Sequence, residues 1–130
     1  MAKSEPVAIK FPPGKALAAL FDKVVQIALT FPGVEEGRSY GTPAIKVKGK
    51  FMARLRSEDE GGLAIRCELI EREAMLEAAP ATFYITDHYE EYEMVLIDLS
   101  KVDWELMETI VEAAWRMTAG PKLIRRWPNR

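Results

Sequence analysis

The chain holds a single cysteine, Cys67, and a single histidine, His88, among 130 residues. One cysteine excludes an intramolecular disulfide framework and a cysteine-rich zinc site. No apolar run approaches the roughly 18 residues that a membrane helix needs. Met1 to Phe11 contains lysines but no apolar signal core, so a reducing, cytoplasmic location is expected. Neither sign of charge is in large excess: 18 basic side chains face 20 acidic ones. That balance excludes a globally basic nucleic-acid binder. Phosphate-loop and dinucleotide fingerprints are missing, and Gly61-Gly62 reads as a hairpin turn. What remains is 48% apolar and 29% charged, the composition of one globular domain.

The charges are segregated. Gly37–Ser57 carries six basic side chains (Arg38, Lys46, Lys48, Lys50, Arg54, Arg56) and no acidic one. Glu58–Glu112 carries sixteen acidic and three basic residues. Ala113–Arg130 carries five basic residues (Arg116, Lys122, Arg125, Arg126, Arg130) and no acidic one. Such asymmetry points either to a polarised anion-binding surface or to neutralisation of the blocks within the fold.

Phe11-Pro12-Pro13-Gly14 ends an expected flexible arm over residues 1–13. Apolar spacing from Leu17 to Ile27 predicts a helix from Lys15 to about Thr30, stopped by Pro32-Gly33. Period-two alternation then predicts strands around Ile45–Val47, Phe51–Leu55 and Leu63–Cys67, joined by short turns into antiparallel hairpins. A three-residue turn, Lys48 to Lys50, would pair Val47 with Phe51 and keep the apolar residues together. Ile45, Val47, Phe51, Ala53, Leu55, Leu63 and Ile65 would then face the core. Lys46, Met52, Arg54, Arg56 and Arg66 would face away. Glu68–Ala79 reads as a helix, and Phe83–Thr86 and Met94–Asp98 as strands flanking an acidic, tyrosine-bearing loop at Asp87–Glu93. A final helix spans about Val102 to Ala119, with Ser100 as its expected cap. The order implies a two-layer α+β domain over residues 14–122. Its mostly antiparallel sheet carries the terminal helices on one face, and a basic tail follows at residues 123–130.

Catalysis would need His88, beside Asp87, to meet a nucleophile such as Ser39 or Cys67. No nucleophile-elbow pattern accompanies them, so no catalytic residue and no enzymatic activity is expected. Glu90, Glu91 and Glu93 lack the pattern of a calcium loop, and neither a metal nor another cofactor is expected. Arg38, Lys46, Lys48, Lys50, Arg54, Arg56 and Arg66 form a candidate phosphate-docking set on β-hairpins. The acidic middle of the chain would have to face away from DNA. A second candidate is a pocket near Tyr40, Thr42, His88 and Tyr89, serving a protein or small-ligand partner. A third is an enzyme with His88 as base.

Phe31-Pro32-Gly33-Val34-Glu35-Glu36-Gly37, Ser39-Tyr40-Gly41-Thr42-Pro43-Ala44, Lys46-Val47-Lys48-Gly49-Lys50-Phe51, Phe83-Tyr84-Ile85-Thr86-Asp87-His88-Tyr89 and Ala114-Trp115-Arg116 before Pro121-Lys122 occur in this order. Together they resemble the MmcQ/YjbR family over about Leu29 to Lys122. The resemblance implies an α+β fold similar to frataxin-like (CyaY-like) domains. It also implies DNA binding through a double wing, which would map onto Ala44–Arg56 and its return strand. It implies no catalytic residue. The partners expected are double-stranded DNA or a protein and no membrane, with the chain a monomer or weak homodimer.

Overall fold

The computed structural model describes residues 14–57 and 60–127. The expected arm, residues 1–13, lies outside the described residues, as do Glu58, Asp59 and residues 128–130. The elements are α1 (Lys15–Ala28), β1 (Val34–Ser39), β2 (Thr42–Val47), β3 (Lys50–Leu55), β4 (Leu63–Arg66), α2 (Leu69–Ala78), β5 (Phe83–Tyr84), β6 (Met94–Ile97), α3 (Trp104–Ala119) and α4 (Pro121–Arg125). A 3-10 turn, Asp87–Tyr89, lies between β5 and β6. The strands form one antiparallel sheet in the order β1-β2-β3-β4-β6-β5, so the fold is α+β as expected.

One sheet face is the core. Ile45, Ala53, Ile65 and Val95 lie side by side across four strands, as do Leu55, Leu63, Ile97 and Phe83. Phe21, Val24 and Ala28 of α1 and Met107, Val111 and Ala114 of α3 cover them. Trp115 anchors this layer. It is fully buried, stacks on Phe31 at 5.2 Å, and donates its indole N–H to Pro32 O at 2.8 Å. A buried indole needs that acceptor, so the bond ties the Pro32-Gly33 breaker to α3. α4 continues the packing beyond residue 122: Leu123 is buried in the core, and the Trp127 ring lies 4.7 Å from Phe31.

The β2–β3 turn differs from expectation. Val47 pairs with Lys50 and Lys46 with Phe51, so the turn has two residues, Lys48 and Gly49, both at positive φ. Left-handed geometry at both positions suits the right-handed twist of a hairpin. A bulge between Ile45 and Lys46 leaves Met52 as the extra residue on β3. The bulge resets the faces, which a uniform pleat cannot do. Met52 is therefore fully buried in the helix-side core, and Phe51 packs on the opposite face. The preceding turn is Tyr40-Gly41, with Thr42 already in β2. β1 is an added edge strand, whose Val-Glu-Glu-Gly-Arg-Ser sequence has no alternating apolar signal. The α3 cap also moves. Asp103 accepts from Glu105 N at 2.9 Å, whereas Ser100 donates its hydroxyl to Asp98 at 2.7 Å.

Candidate functional site

The face opposite α1 and α3 carries a small second cluster of Ala64, Tyr89, Met94 and Leu96, with Phe51 and Tyr84 against it. Three sets of connecting residues surround it: the Tyr40-Gly41 turn, Ser57 with Glu60–Gly62, and the Asp87–Glu93 loop. Between them lie two adjoining depressions of about 540 and 430 Å³ that share Tyr40, Arg54, His88 and Tyr89. Ser57 and Glu60 complete one end; Phe51, Tyr92 and Met94 complete the other.

Each wall has a local cause. Tyr40 sits at φ 53 and is 83% exposed, so the turn displays its ring rather than burying it. The left-handed region costs a non-glycine residue about 1–2 kcal/mol. The opposite wall is set by Arg72, a buried side chain of α2. Its Nη1 donates to the carbonyls of Tyr89, Tyr92 and Met94 at 3.2, 2.9 and 3.1 Å, and its Nη2 to that of Glu90 at 3.0 Å. This clamp fixes the loop that carries His88, Tyr89 and Tyr92. The His88 ring meets Tyr89 edge-on at 4.8 Å and Tyr92 at 5.8 Å.

The floor carries Arg54, and Arg56 lies two residues further along the chain, outside the cleft lining; each is 7% exposed. Arg54 donates to Thr42 Oγ1 at 2.8 Å, reaches Glu60 Oε1 at 3.4 Å and lies 5.3 Å from the Tyr40 ring. Arg56 lies 5.6 Å from the Tyr89 ring and is hydrogen-bonded to the Tyr84 side chain, while its Nε and Nη1 have no hydrogen-bond partner among the described residues. Burial pushes the nearby Tyr84 phenol up, against the pull of the Arg56 charge. Burial also acts to raise Glu60, but donors from Ser57 and the charges of Arg54 and Arg56 outweigh it and hold that carboxyl below its usual range.

The pocket residues expected from sequence converge here. Tyr40, His88 and Tyr89 line the cleft, and Thr42 is fully buried, bonded to Arg54. Ser39 shares the smaller depression with His88, while Cys67 lies elsewhere. The candidate phosphate-docking set is dispersed. Arg54 is buried in the cleft floor, Arg56 is buried against Tyr89, and Arg66 reaches Met117 O and Thr118 Oγ1 on α3 at 3.4 and 3.5 Å. Lys46 lies along Gly37 of β1, and Arg38 is half-buried beside Pro43. Lys48 and Lys50 are exposed at the β2–β3 turn. Arg72, Glu60 and Tyr92 are the site residues that sequence reasoning missed. The one signal for Arg72 is that it is the lone basic residue of an acidic helix.

Two other regions stand out. The exposed β2–β3 turn meets α4 at Gly33: a Cβ there would lie 3.4 Å from Lys48 Cγ and 2.8 Å from Leu123 Cδ1. Lys48, Lys50, Lys122, Arg125 and Arg126 are exposed around this pole, and none forms an ion pair among the described residues. One carboxylate intrudes, since Glu35 accepts from Gly49 N at 2.8 Å. Between α2 and α3 lies an apolar cavity of about 420 Å³ that holds Cys67. Burial, aided by Glu71, pushes the Cys67 thiol up to about 11, which keeps it protonated and unreactive. Glu90, Glu91 and Glu93 are exposed, and no group of three or more metal-binding side chains occurs among the described residues. No helix among these residues is long and apolar enough to cross a membrane.

Comparison with known proteins agrees with this architecture. No curated protein matches the sequence. The crystal structure of Deinococcus radiodurans protein DR2400, a DUF419 domain, is similar in fold. Its TM-score is 0.63 at 17% identity, covering 73% of this chain and 75% of that one. The YjbR family model matches residues 29–117, from the end of α1 through most of α3, and the chain belongs to the YjbR family.

Proposed function

We propose that the chain is a binding module and that the cleft on the open sheet face is its functional site, taking a small ligand. The observation that carries this reading is the convergence of Tyr40, Arg54, His88 and Tyr89 from distant parts of the sequence onto one concave surface. Concave sites that join aromatic walls to a few fixed polar groups are the usual form of ligand pockets. His88 serves as a wall, held by ring contacts to its tyrosine neighbours. Titrating isotope-labelled protein with a chemically diverse fragment set tests the reading. Binders are expected to shift the amide resonances of Tyr40, Arg54 and His88. Binders confined to the α2–α3 cavity, or none at all, would overturn it.

A second reading, docking on double-stranded DNA, is favoured by one observation, the cationic pole at Gly33. In this reading Lys48, Lys50, Lys122, Arg125 and Arg126 contact phosphates, and the buried Arg54 and Arg56 do not. Fluorescence anisotropy with a duplex at low salt tests it. Binding should weaken steeply with salt as counterions are released, and Lys48→Glu with Arg125→Glu should abolish it. Binding that survives the double variant would count against the pole.

A further inference from the structure

The two edges of the sheet are finished differently. At one edge β5 is only two residues long, and Met94 of β6, which extends past it, gives its carbonyl to Arg72. The other edge is β1, six residues with an unbroken register against β2. It holds no proline and no bulge, two of the usual guards of an open edge. One bond sets the direction of its backbone groups. Lys48 N donates to Gly33 O at 3.0 Å, at the foot of the β1–β2 ladder. Alternate residues of an antiparallel strand bond to the same neighbour. Glu35, Gly37 and Ser39 therefore bond to β2, and Val34, Glu36 and Arg38 turn their N–H and C=O groups outward. These outward groups have no hydrogen bond among the described residues.

Antiparallel pairing with β1 of a second copy satisfies them. Bonded and unbonded pairs alternate along such a ladder, so two-fold symmetry requires a register in which one residue faces its own copy. Centred on Glu35, Glu36 or Arg38, the register sets like charges opposite each other. Centred on Gly37, it sets Glu36 opposite Arg38 on both sides of the axis. Glu36 and Arg38 share one sheet face, opposite Ile45 and Pro43 of β2, and neither forms an ion pair among the described residues. Gly37 has no side chain to obstruct the close pair at the axis, where Cα atoms approach to about 4.5 Å. Edge charge ordinarily repels a second strand. The Glu-Gly-Arg order makes it attractive in this one register. We infer that the protein forms a symmetric homodimer by pairing β1 with β1, centred on Gly37, which joins two six-stranded sheets into one.

Charge exchange tests both the dimer and its register. Sedimentation equilibrium of the wild-type chain should show a concentration-dependent dimer. Glu36→Arg and Arg38→Glu should each weaken it about tenfold or more, because each sets like charges opposite at both symmetric positions. Mixing these two variants should restore dimers, since every arginine then faces a glutamate. Both substitutions in one chain should restore them as well. Glu36 is exposed, so its variant disturbs the edge and not the core. Hydrogen exchange supplies a second readout. As concentration rises, the amides of Glu36 and Arg38 should gain protection, while those of Glu35 and Gly37, already bonded to β2, should not change. A monomer at every concentration would overturn the inference and leave the edge to some other extended chain. A dimer indifferent to the charge variants, or one whose newly protected amides lie on another element, would overturn it too. Failure of the mixed variants to associate would overturn the register.

Discussion

The two hairpin turns that bracket β2 have almost the same backbone. Tyr40-Gly41 has φ values of 53 and 77, and Lys48-Gly49 has 50 and 83. Their surroundings differ in every other respect. Tyr40 stands over Arg54 at the edge of an aromatic cleft. Lys48 leans toward Gly33 and α4 in a pole of cations that form no ion pair among the described residues. The six residues of β2 separate them, roughly 20 Å of extended chain. Both turns place a large side chain where Asn or Gly is favoured. The comparison teaches that turn geometry fixes where a side chain is shown, and the neighbouring elements fix what it can bind.

The largest expected effect breaks the cleft side alone. Arg72→Ala removes the clamp on the Tyr89, Glu90, Tyr92 and Met94 carbonyls. Losing charged hydrogen bonds to buried acceptors costs about 3 kcal/mol. Urea unfolding should show that loss, and hydrogen exchange should show residues 87–93 opening while Lys48–Lys50 stay as protected as before. Equal loosening of both turns would mean that Arg72 stabilises the whole fold rather than the cleft wall.

Gly62→Ala is the next step down. Gly62 has φ +80, and the Tyr84 hydroxyl occupies the space where a Cβ would lie. Strain and clash together should cost roughly 2 kcal/mol or more. Gly61, at φ +76 with open space around it, is the matched control. Gly61→Ala should cost about 1 kcal/mol, from backbone strain alone. Equal costs in thermal unfolding would show that Tyr84 moves aside freely.

These two sites also mark how far the sequence could be read. Helices, hairpins and the apolar face followed from spacing, because each residue's face is fixed by a period of 3.6 or 2. Phe51 and Met52 were exchanged because a bulge has no local signature that outweighs an unbroken alternation. β1 escaped notice because an edge strand need not be apolar. Tyr40, Thr42, His88 and Tyr89 were recognisable as a polar, aromatic set. Their convergence with Arg54 depends on the β2–β3 and β3–β4 register. Arg72 was illegible because its partners are main-chain carbonyls, which leave no residue type to match.

Exchanging the displayed side chains sharpens the comparison further. Asn tolerates left-handed backbone, so Tyr40→Asn and Lys48→Asn should each stabilise the fold by up to about 1 kcal/mol. The functional consequences should separate. Tyr40→Asn should weaken cleft binders found with the fragment set and leave duplex binding alone. Lys48→Asn should reduce the salt dependence of duplex binding by about one phosphate contact and leave the cleft alone. Any crossover would mean that the two surfaces are coupled through β2 rather than independent.

The smallest expected effect is a pH dependence peculiar to the cleft. Glu60 titrates below its ordinary value because the Ser57 donors and the charges of Arg54 and Arg56 outweigh its burial. A depressed carboxyl contributes stability above its unfolded pKa and loses it as pH falls through the folded value. The increment is therefore full at neutral pH and declines below about pH 4. Solvent screening keeps it small, since Glu60 is substantially exposed. Glu60→Gln should remove that part of the acid sensitivity in urea midpoints measured between about pH 5 and 3. The same carboxylate lies 3.4 Å from Arg54 in the cleft, so cleft binders found with the fragment set should change affinity in the variant. Duplex binding at the Lys48 pole should not respond to Glu60→Gln. A parallel response at both surfaces would mean that Glu60 acts through the overall charge of the molecule, and the distinction between the two turns would rest on aromatic display alone.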